Sequence, residues 1–313
     1  VPDQTTDGAA DRAADRAADA AALPDRILET LDGLLHALTL EPVGDDRFRV
    51  AAEPGRFPRI FGGQTFAQAL LAGAATVEPE KTPQSLHALF VEGGIPEQTV
   101  DLAVERVRDG RSMSSRRITV GQGDRTLLVA IASFHVNPDT PELRFPPPEV
   151  APPEDTPRLQ DWALALPDDW YERSRSWVTT PPPLDIRMAE APRFFDGPDA
   201  TGTRSHWMRV PRAVGEDPLL HAALLAYASD YFLLDMLFRD HPDRGDVTKL
   251  GGTSLDHTVW FHRPVRFDRW HLHTQETLAL TGHRGLIRGT FHDAEGNLVA
   301  SVAQEGLVRP GRW

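Results

Sequence analysis

The chain contains no cysteine in 313 residues, which removes disulfides, thiolate metal sites and cysteine nucleophiles together. It has no Gly-x-Ser-x-Gly elbow, so a serine hydrolase of that type is not indicated. No apolar run approaches the roughly 20 residues of a membrane span. The first residues are rich in Ala, Asp and Arg where a secretory leader would be apolar, and the closing Gly-Arg-Trp is not a peroxisomal address. A soluble, cytoplasmic protein is therefore expected. A basic excess is missing too: the formal net charge is -13, which argues against a nucleic-acid partner, and an anionic small molecule would need local arginines. What is present is enough apolar material, 40% of residues, to bury a sizeable core in one large or two ordinary domains.

Two stretches stand apart in composition. Residues 1–25 include AADRAADRAADAAA, a four-residue repeat with almost nothing larger than alanine to bury, and are expected to form a mobile tail. Residues 138–183 hold roughly a dozen of the 27 prolines, in NPDTPELRFPPPEVAPPEDTP and TTPPPLD, and read as an extended linker. Between these clusters, LQDWALALPDDWYERSRSW allows a short surface helix. Two apolar regions remain, 26–137 and 184–313.

Those regions align with each other at an offset of about 170 residues. Each opens with an apolar helix, GQTFAQALLAGAATV in one and LLHAALLAYASDYFLLDML in the other. Strand-like runs follow in matching order: SLHALFV and SLDHTVWFH, TVDLAVERV and WHLHTQETLAL, RRITV and LIRGTF, TLLVAIASFHV and LVASVAQEGLV. One long helix cannot cover its own apolar surface, so each unit is expected to wrap a curved antiparallel sheet around its helix. Duplication then allows two sheets to join edge to edge about a pseudo-twofold axis, with clefts where the halves meet.

Three polar residues interrupt apolar elements of the second unit. A continuous helix through LLAYASDYFLLDML would set Asp230 among Ala226, Tyr227, Leu233 and Leu234, on the apolar stripe and without a basic residue within a turn. Asp235, with Arg239 one turn later, has the usual arrangement of a solvated face. Burying Asp230 without partners costs several kcal/mol, on the order of 2–7 for a polar group, so distant residues are expected to meet it. Ser254 precedes LDHTVWF, and Gln304 shares a strand face with Ala300 and Val302, so its amide points inward.

The motifs RIFGGQTFAQAL, VRDGRSMSSRRI, AYASD, SLDHTVWFHRP and VASVAQEGLVR resemble the acyl-CoA thioesterase II family in order and approximate spacing, over residues of roughly 30–135 and 184–309. That resemblance implies an α+β double-hotdog fold with two helix-plus-antiparallel-sheet repeats, and hydrolysis of acyl-CoA thioesters without a cofactor or metal. It also implies that an Asp, a Ser or Thr and a Gln hold the attacking water; here these are Asp230, Ser254 and Gln304. FGGQ resembles the stretch whose backbone N–H groups face the thioester carbonyl, which nominates Gly62 and Gly63. A homo-oligomer is expected by the same resemblance, and the acyl donor is acyl-CoA or an acyl-carrier thioester.

Other candidates rest on thinner patterns. The basic runs RVRDGRSMSSRR and HRPVR suggest Arg111, Arg116 and Arg117 as contacts for coenzyme A phosphates. Asp256 and His257 are adjacent on a strand and so point to opposite faces; a hotdog hydratase acting through His257 is the alternative enzyme, and a non-catalytic acyl-CoA binder the alternative outside catalysis. His271 and His273 share a strand face, but no third ligand at suitable spacing follows to make a metal site. The family's aromatic followed by Leu-Arg-Pro-Gly is replaced by FVEGGIPEQ at 90–98, which leaves the channel's shape open.

Overall fold

A computed structural model describes residues 4–53, 55–138, 143, 145–198, 200–242 and 250–310, with the side chains of 4–11 and 310 left out. The first three residues of the expected tail, residues 139–142 and 144 of the proline-rich stretch, and the terminal Gly-Arg-Trp lie outside the described residues.

The repeat legible in the sequence is the repeat of the fold. In the first unit, β2 (Arg47–Val50) leads into helix α2 (Gly62–Ala74), then β3 (Thr82–Phe90), β4 (Val100–Asp109), β5 (Met113–Gln122) and β6 (Arg125–His135). In the second, β8 (Arg204–Arg209) leads into helix α6 (Pro218–Ser229) and its continuation α7 (Leu233–Arg239), then β10 (Asp256–Phe261), β11 (His271–Thr281), β12 (Arg284–Asp293) and β13 (Leu298–Pro310). Strand order is β2-β4-β5-β6-β3 in one and β8-β11-β12-β13-β10 in the other, so the topologies coincide. β3 and β10 pair antiparallel, Leu86 opposite Val259, and join both units into one sheet. Short strands β1 (Glu41–Gly44) and β7 (Asp185–Met188) extend its two ends, and β9 (Leu250–Ser254) pairs with β13. This is a double hotdog: α2 and α6 lie against each other inside the curve of the shared sheet.

Alternation sets the faces. In β13, Ala300, Val302, Gln304 and Val308 are buried on one face of the strand, as the period of two requires.

The Ala/Asp/Arg repeat and the 159–179 part of the proline-rich stretch are packed, whereas residues 145–152 are without helix or strand and mostly exposed, as a linker would be. Helix α1 spans Gln4–Ala37, and its buried stripe begins inside the Ala/Asp/Arg repeat: Asp19, Leu23, Ile27, Leu31 and Leu34, at helical spacing. Alanine's high helix propensity supports the repeat, and docking supplies what its small side chains cannot. The docking partner is the proline-rich segment, whose non-proline parts form α3 (Leu159–Leu164), α4 (Asp168–Ser174) and α5 (Ser176–Thr179), with Leu159, Ala163, Tyr171 and Val178 buried. Asp19 Oδ2 accepts from Tyr171 Oη at 2.8 Å and from Arg175 Nε at 2.9 Å, while Oδ1 accepts from Arg26 at 3.0 Å. Arg12 and Arg16 both reach Asp168 at 2.7 Å.

Candidate active site

The helix expected to run through Asp230 breaks there. α6 ends at Ser229, Asp230 is its C-cap, and Phe232 takes a left-handed conformation (φ 66°) before α7 begins. Such a backbone is uncommon for a bulky residue. Packing holds it: the Phe232 ring lies nearly parallel to Phe194 and Trp177 and edge-on to His206. The break carries Asp230 off the helix flank and points it at the start of α2, where a Cβ added to Gly62 would stand 2.7 Å from Asp230 Oδ2. Gly63 is required for a second reason, since a Cβ there would meet the Tyr227 carbonyl at 2.3 Å. Gly63 lets α2 touch the backbone of α6, and Gly62 makes room for the Asp230 carboxyl.

Asp235 overturns its reading as a surface acid. It is 3% exposed, pairs with the buried Arg204 at 2.5 Å, and accepts from the backbone N–H groups of Arg193 and Phe194. Arg239 is likewise buried and binds Glu190 at 2.7 Å instead of Asp235. Partners from elsewhere in the chain satisfy this acid, and helical spacing cannot reveal them.

Asp230, Ser254 and Gln304 do come together. Gln304 Nε2 donates to Asp230 Oδ1 at 3.1 Å and to Ser254 Oγ. Ser254 stands opposite Gly306 in the β9–β13 pairing, two residues from Gln304 and hence on the same face. Asp230 and Ser254 line a cleft of about 770 Å³ together with Gly62, Phe90, Leu234 and Phe238, and Gln304 is buried behind them. Asp230 keeps part of its surface open to this cleft. Burial pushes its carboxyl up from the ordinary 3.8 to about 7, against the opposing donations of Gln304 and the Gly63 N–H. A carboxyl poised near neutrality, hydrogen-bonded to an amide that also donates to the Ser254 hydroxyl, can accept a proton from a water that the other two hold.

Much of the remaining lining is aromatic, and the sequence reading did not include it. Phe57 and Phe61 come from the segment before α2, Trp177 from α5 and Phe194 from a 3₁₀ turn at Arg193–Phe195. Trp177 stacks on Phe194 at 4.9 Å between ring centroids, and Phe57 meets Trp177 edge-on at 5.9 Å. Behind Phe61, Tyr227 Oη donates to Glu53 at 2.8 Å and accepts from Arg56 at 3.2 Å. The excess of Trp and Tyr within an otherwise proline-rich stretch was the one available sign of a packed wall.

The arginines fall elsewhere than expected. Arg116 is fully buried and committed to Thr76 and Asp109, at 2.7 and 2.6 Å, where it ties β5 to the end of α2. Arg111 and Arg117 are exposed on the β4–β5 hairpin, Arg117 beside Glu105, and neither lines the cleft. The cleft's own arginine is Arg59, which donates to the Gly93 carbonyl at 3.3 Å. Arg125 donates to the same carbonyl at 2.8 Å and pairs with Glu92, so the altered FVEGGIPEQ segment is tied down by both.

His257 is fully buried, does not line the cleft, and packs edge-on against Phe66 at 4.6 Å. Asp256 points away and accepts from the Glu305 N–H at 2.7 Å, so the two do not act as a pair. His273 stacks on Phe291 at 3.9 Å and His271 bonds the Arg269 carbonyl; no metal-binding cluster occurs among the described residues.

Known proteins share this fold. Residues 178–307 match the family described as acyl-CoA thioesterase, and residues 51–135 match the acyl-CoA thioesterase N-terminal domain. Acyl-CoA thioesterase 2 of Haemophilus influenzae is 32% identical over 289 residues, covering 90% of this chain and 98% of the relative. Human acyl-coenzyme A thioesterase 8 is 33% identical over 280 residues, 87% of each chain. The solved acyl-CoA thioesterase II TesB2 of Mycobacterium marinum superposes with a TM-score of 0.71 at 29% identity, over 88% of this chain and 98% of its own. On fold, identity and coverage, this chain belongs to the acyl-CoA thioesterase II family.

Proposed function

We propose that the chain hydrolyses acyl-CoA thioesters through a water held between Asp230, Ser254 and Gln304. The observation that supports this reading is the hydrogen-bonded contact of these three side chains, of which Asp230 and Ser254 line an apolar cleft. Asp230 takes a proton as the water oxygen bonds to the thioester carbonyl carbon, and Gln304 and Ser254 orient that water. The carbonyl oxygen gains charge near the start of α2, where the Gly62 N–H and the positive end of the helix favour an anion, while the Gly63 N–H, nominated beside it, donates to Asp230. Collapse breaks the carbon–sulfur bond, the thiolate takes up a proton, and the products are a free acid and coenzyme A thiol. Arg59 and Arg125 at the FVEGGIPEQ segment suit an anionic group of the substrate.

The hydratase alternative requires His257 at the reacting atoms, and its enclosure away from the cleft speaks against that. Assembly into a homo-oligomer belongs to the same reading. Leu89, Ile131 and Leu286, 61%, 47% and 39% exposed, leave the outer sheet face partly apolar. A cytoplasmic location is kept as its expectation, checked by fractionation.

The test is thiol release from a panel of acyl-CoAs, with an acyl-carrier thioester as a second arm. Asp230→Ala and Gln304→Ala are expected to abolish or strongly reduce turnover while leaving the fold intact. Unchanged turnover in both would refute the assignment.

A further inference from the structure

Gln304 is gripped at both edges of its amide. Nε2 faces Asp230 and Ser254, and Oε1 lies 3.2 Å from Nδ1 of His257. The opposite ring nitrogen, Nε2, lies 2.7 Å from Oγ of Ser229, the last residue of α6. Gln304, His257 and Ser229 are all essentially buried, so each polar atom depends on the protein for its partner.

The two strands reach this contact by a register slip. Ser254 pairs with Gly306, but Thr258 pairs with Ala303, so the chain gains one residue against β13 between β9 and β10. Ser254 and His257, three residues apart, thereby face Gln304 together, whereas a regular strand would put them on opposite sides.

Donor and acceptor requirements then run along the chain in one direction. An ionised Asp230 offers only acceptor sites, so the amide edge toward it must be the NH₂. The amide oxygen faces His257, and an oxygen that only accepts requires hydrogen on Nδ1. A neutral ring carries one N–H, which leaves Nε2 as a lone pair, and Ser229 is the hydroxyl in position to fill it. The Ala226 carbonyl, 2.8 Å from the same hydroxyl, competes for that hydrogen.

We propose that His257 and Ser229 are positioning residues: they hold the Gln304 amide with its NH₂ toward Asp230 and Ser254, His257 in the Nδ1–H tautomer and Ser229 as its donor. This rests on the assignment of Asp230, Ser254 and Gln304 to catalysis. Burial, which pushes the His257 ring down to about 3, keeps it neutral across the working range. Without a donor at position 257 the amide oxygen would be a buried acceptor lacking a partner, and the side chain would turn away from the geometry that Asp230 needs.

The other titratable and charged groups around Asp230 stay constant in this test. They are Tyr227 and Tyr231 beside it in the chain, Glu53 and Arg56 bonded to Tyr227, Asp235 with Arg204 beyond Phe232, and Arg59 and Glu92 in the cleft.

Two measurements decide the matter. Nitrogen-15 NMR of the wild-type protein, at a pH above the acid limb of activity, is expected to show His257 as the Nδ1–H tautomer; the Nε2–H tautomer would overturn the proposal. Kinetics then separate donor from bulk. His257→Phe keeps a ring but no donor and is expected to lower kcat by about ten- to a hundredfold, leave KM within about twofold and move the acid limb to higher pH. His257→Gln restores an N–H and is expected to recover part of kcat. Equal kcat and equal pH profiles for wild type, His257→Phe and Ser229→Ala, beside an inactive Asp230→Ala, would sink the positioning role and leave the catalytic assignment standing. Turnover retained by Asp230→Ala and Gln304→Ala would instead remove the assignment itself.

Discussion

Gln304 Nε2 lies 3.1 Å from Asp230 Oδ1, a contact across 74 residues between the end of a helix and the last strand of the sheet. The carboxyl it touches is held near neutrality by burial, and several measurable consequences follow from that poise.

The acid limb of kcat/KM is expected near pH 7. Asp230 must be ionised to accept a proton, and burial raises its carboxyl to about 7, so activity should rise as pH increases through that value. A pH–rate profile checks this; a limb near the ordinary carboxylate value would show that Asp230 is not the titrating base.

Asp230→Asn should trade activity for stability. Because the folded carboxyl sits at about 7 and the unfolded one near 3.8, the fold binds that proton more tightly. Its stabilising effect is therefore present below 3.8 and is lost as pH rises through 7. At pH 8 the charged group destabilises the fold, and a neutral amide is expected to gain about 1–3 kcal/mol in urea unfolding while turnover collapses. At pH 4 the gain should shrink toward zero.

Acid should also weaken the fold through its buried histidines. Desolvation holds His271 at about 4 and His257 at about 3, and His206 and His273 well below their usual value. Depressed values mean that the unfolded chain binds protons the fold refuses. The stability they represent is complete above pH 6.5 and falls as pH drops toward the folded values, by about 1.4 kcal/mol per pH unit for each group in that window. Urea midpoints at pH 7.5 and 5.5 measure it, and an unchanged midpoint would contradict the burial of these rings.

Trp177→Ala should act on substrate more than on chemistry. The ring stands in the aromatic part of the cleft lining and does not touch Asp230, Ser254 or Gln304, so KM for longer acyl chains is expected to rise about tenfold, with kcat for short chains within about threefold. Equal changes for every chain length would assign Trp177 to scaffolding alone.

Asp19→Ala should loosen that wall from a distance. Removing the carboxylate leaves Tyr171 Oη and Arg175 without their partner and is expected to cost about 1–3 kcal/mol. Because α5 carries Trp177, a smaller rise in KM for long chains is expected alongside. Thermal melting and the same substrate series test both parts.

The repeated helix-and-meander order was legible because periods of 3.6 and 2 are local, and they survive in a single sequence. Asp230 and Gln304 stood out for the same reason: each breaks a pattern that its own neighbours establish. Asp235 misled, because its partners Arg204, Arg193 and Phe194 come from another part of the chain. The tail and the 159–179 part of the linker misled together, in their packing. Each is too poor in apolar residues to pack alone, and each becomes ordered by covering the other through Asp19, Tyr171 and Arg175.

By itself the sequence determined the duplicated α+β architecture, the family and the identities of the three polar residues that meet at the cleft, all of which rest on local periodicity and motif order. Only the tertiary structure decided how they meet: a helix broken at Phe232, a strand slipped by one residue before His257, and an aromatic wall borrowed from the insert. Those features depend on packing between segments far apart in the chain, where the energy of a contact belongs to both partners and is written in neither alone.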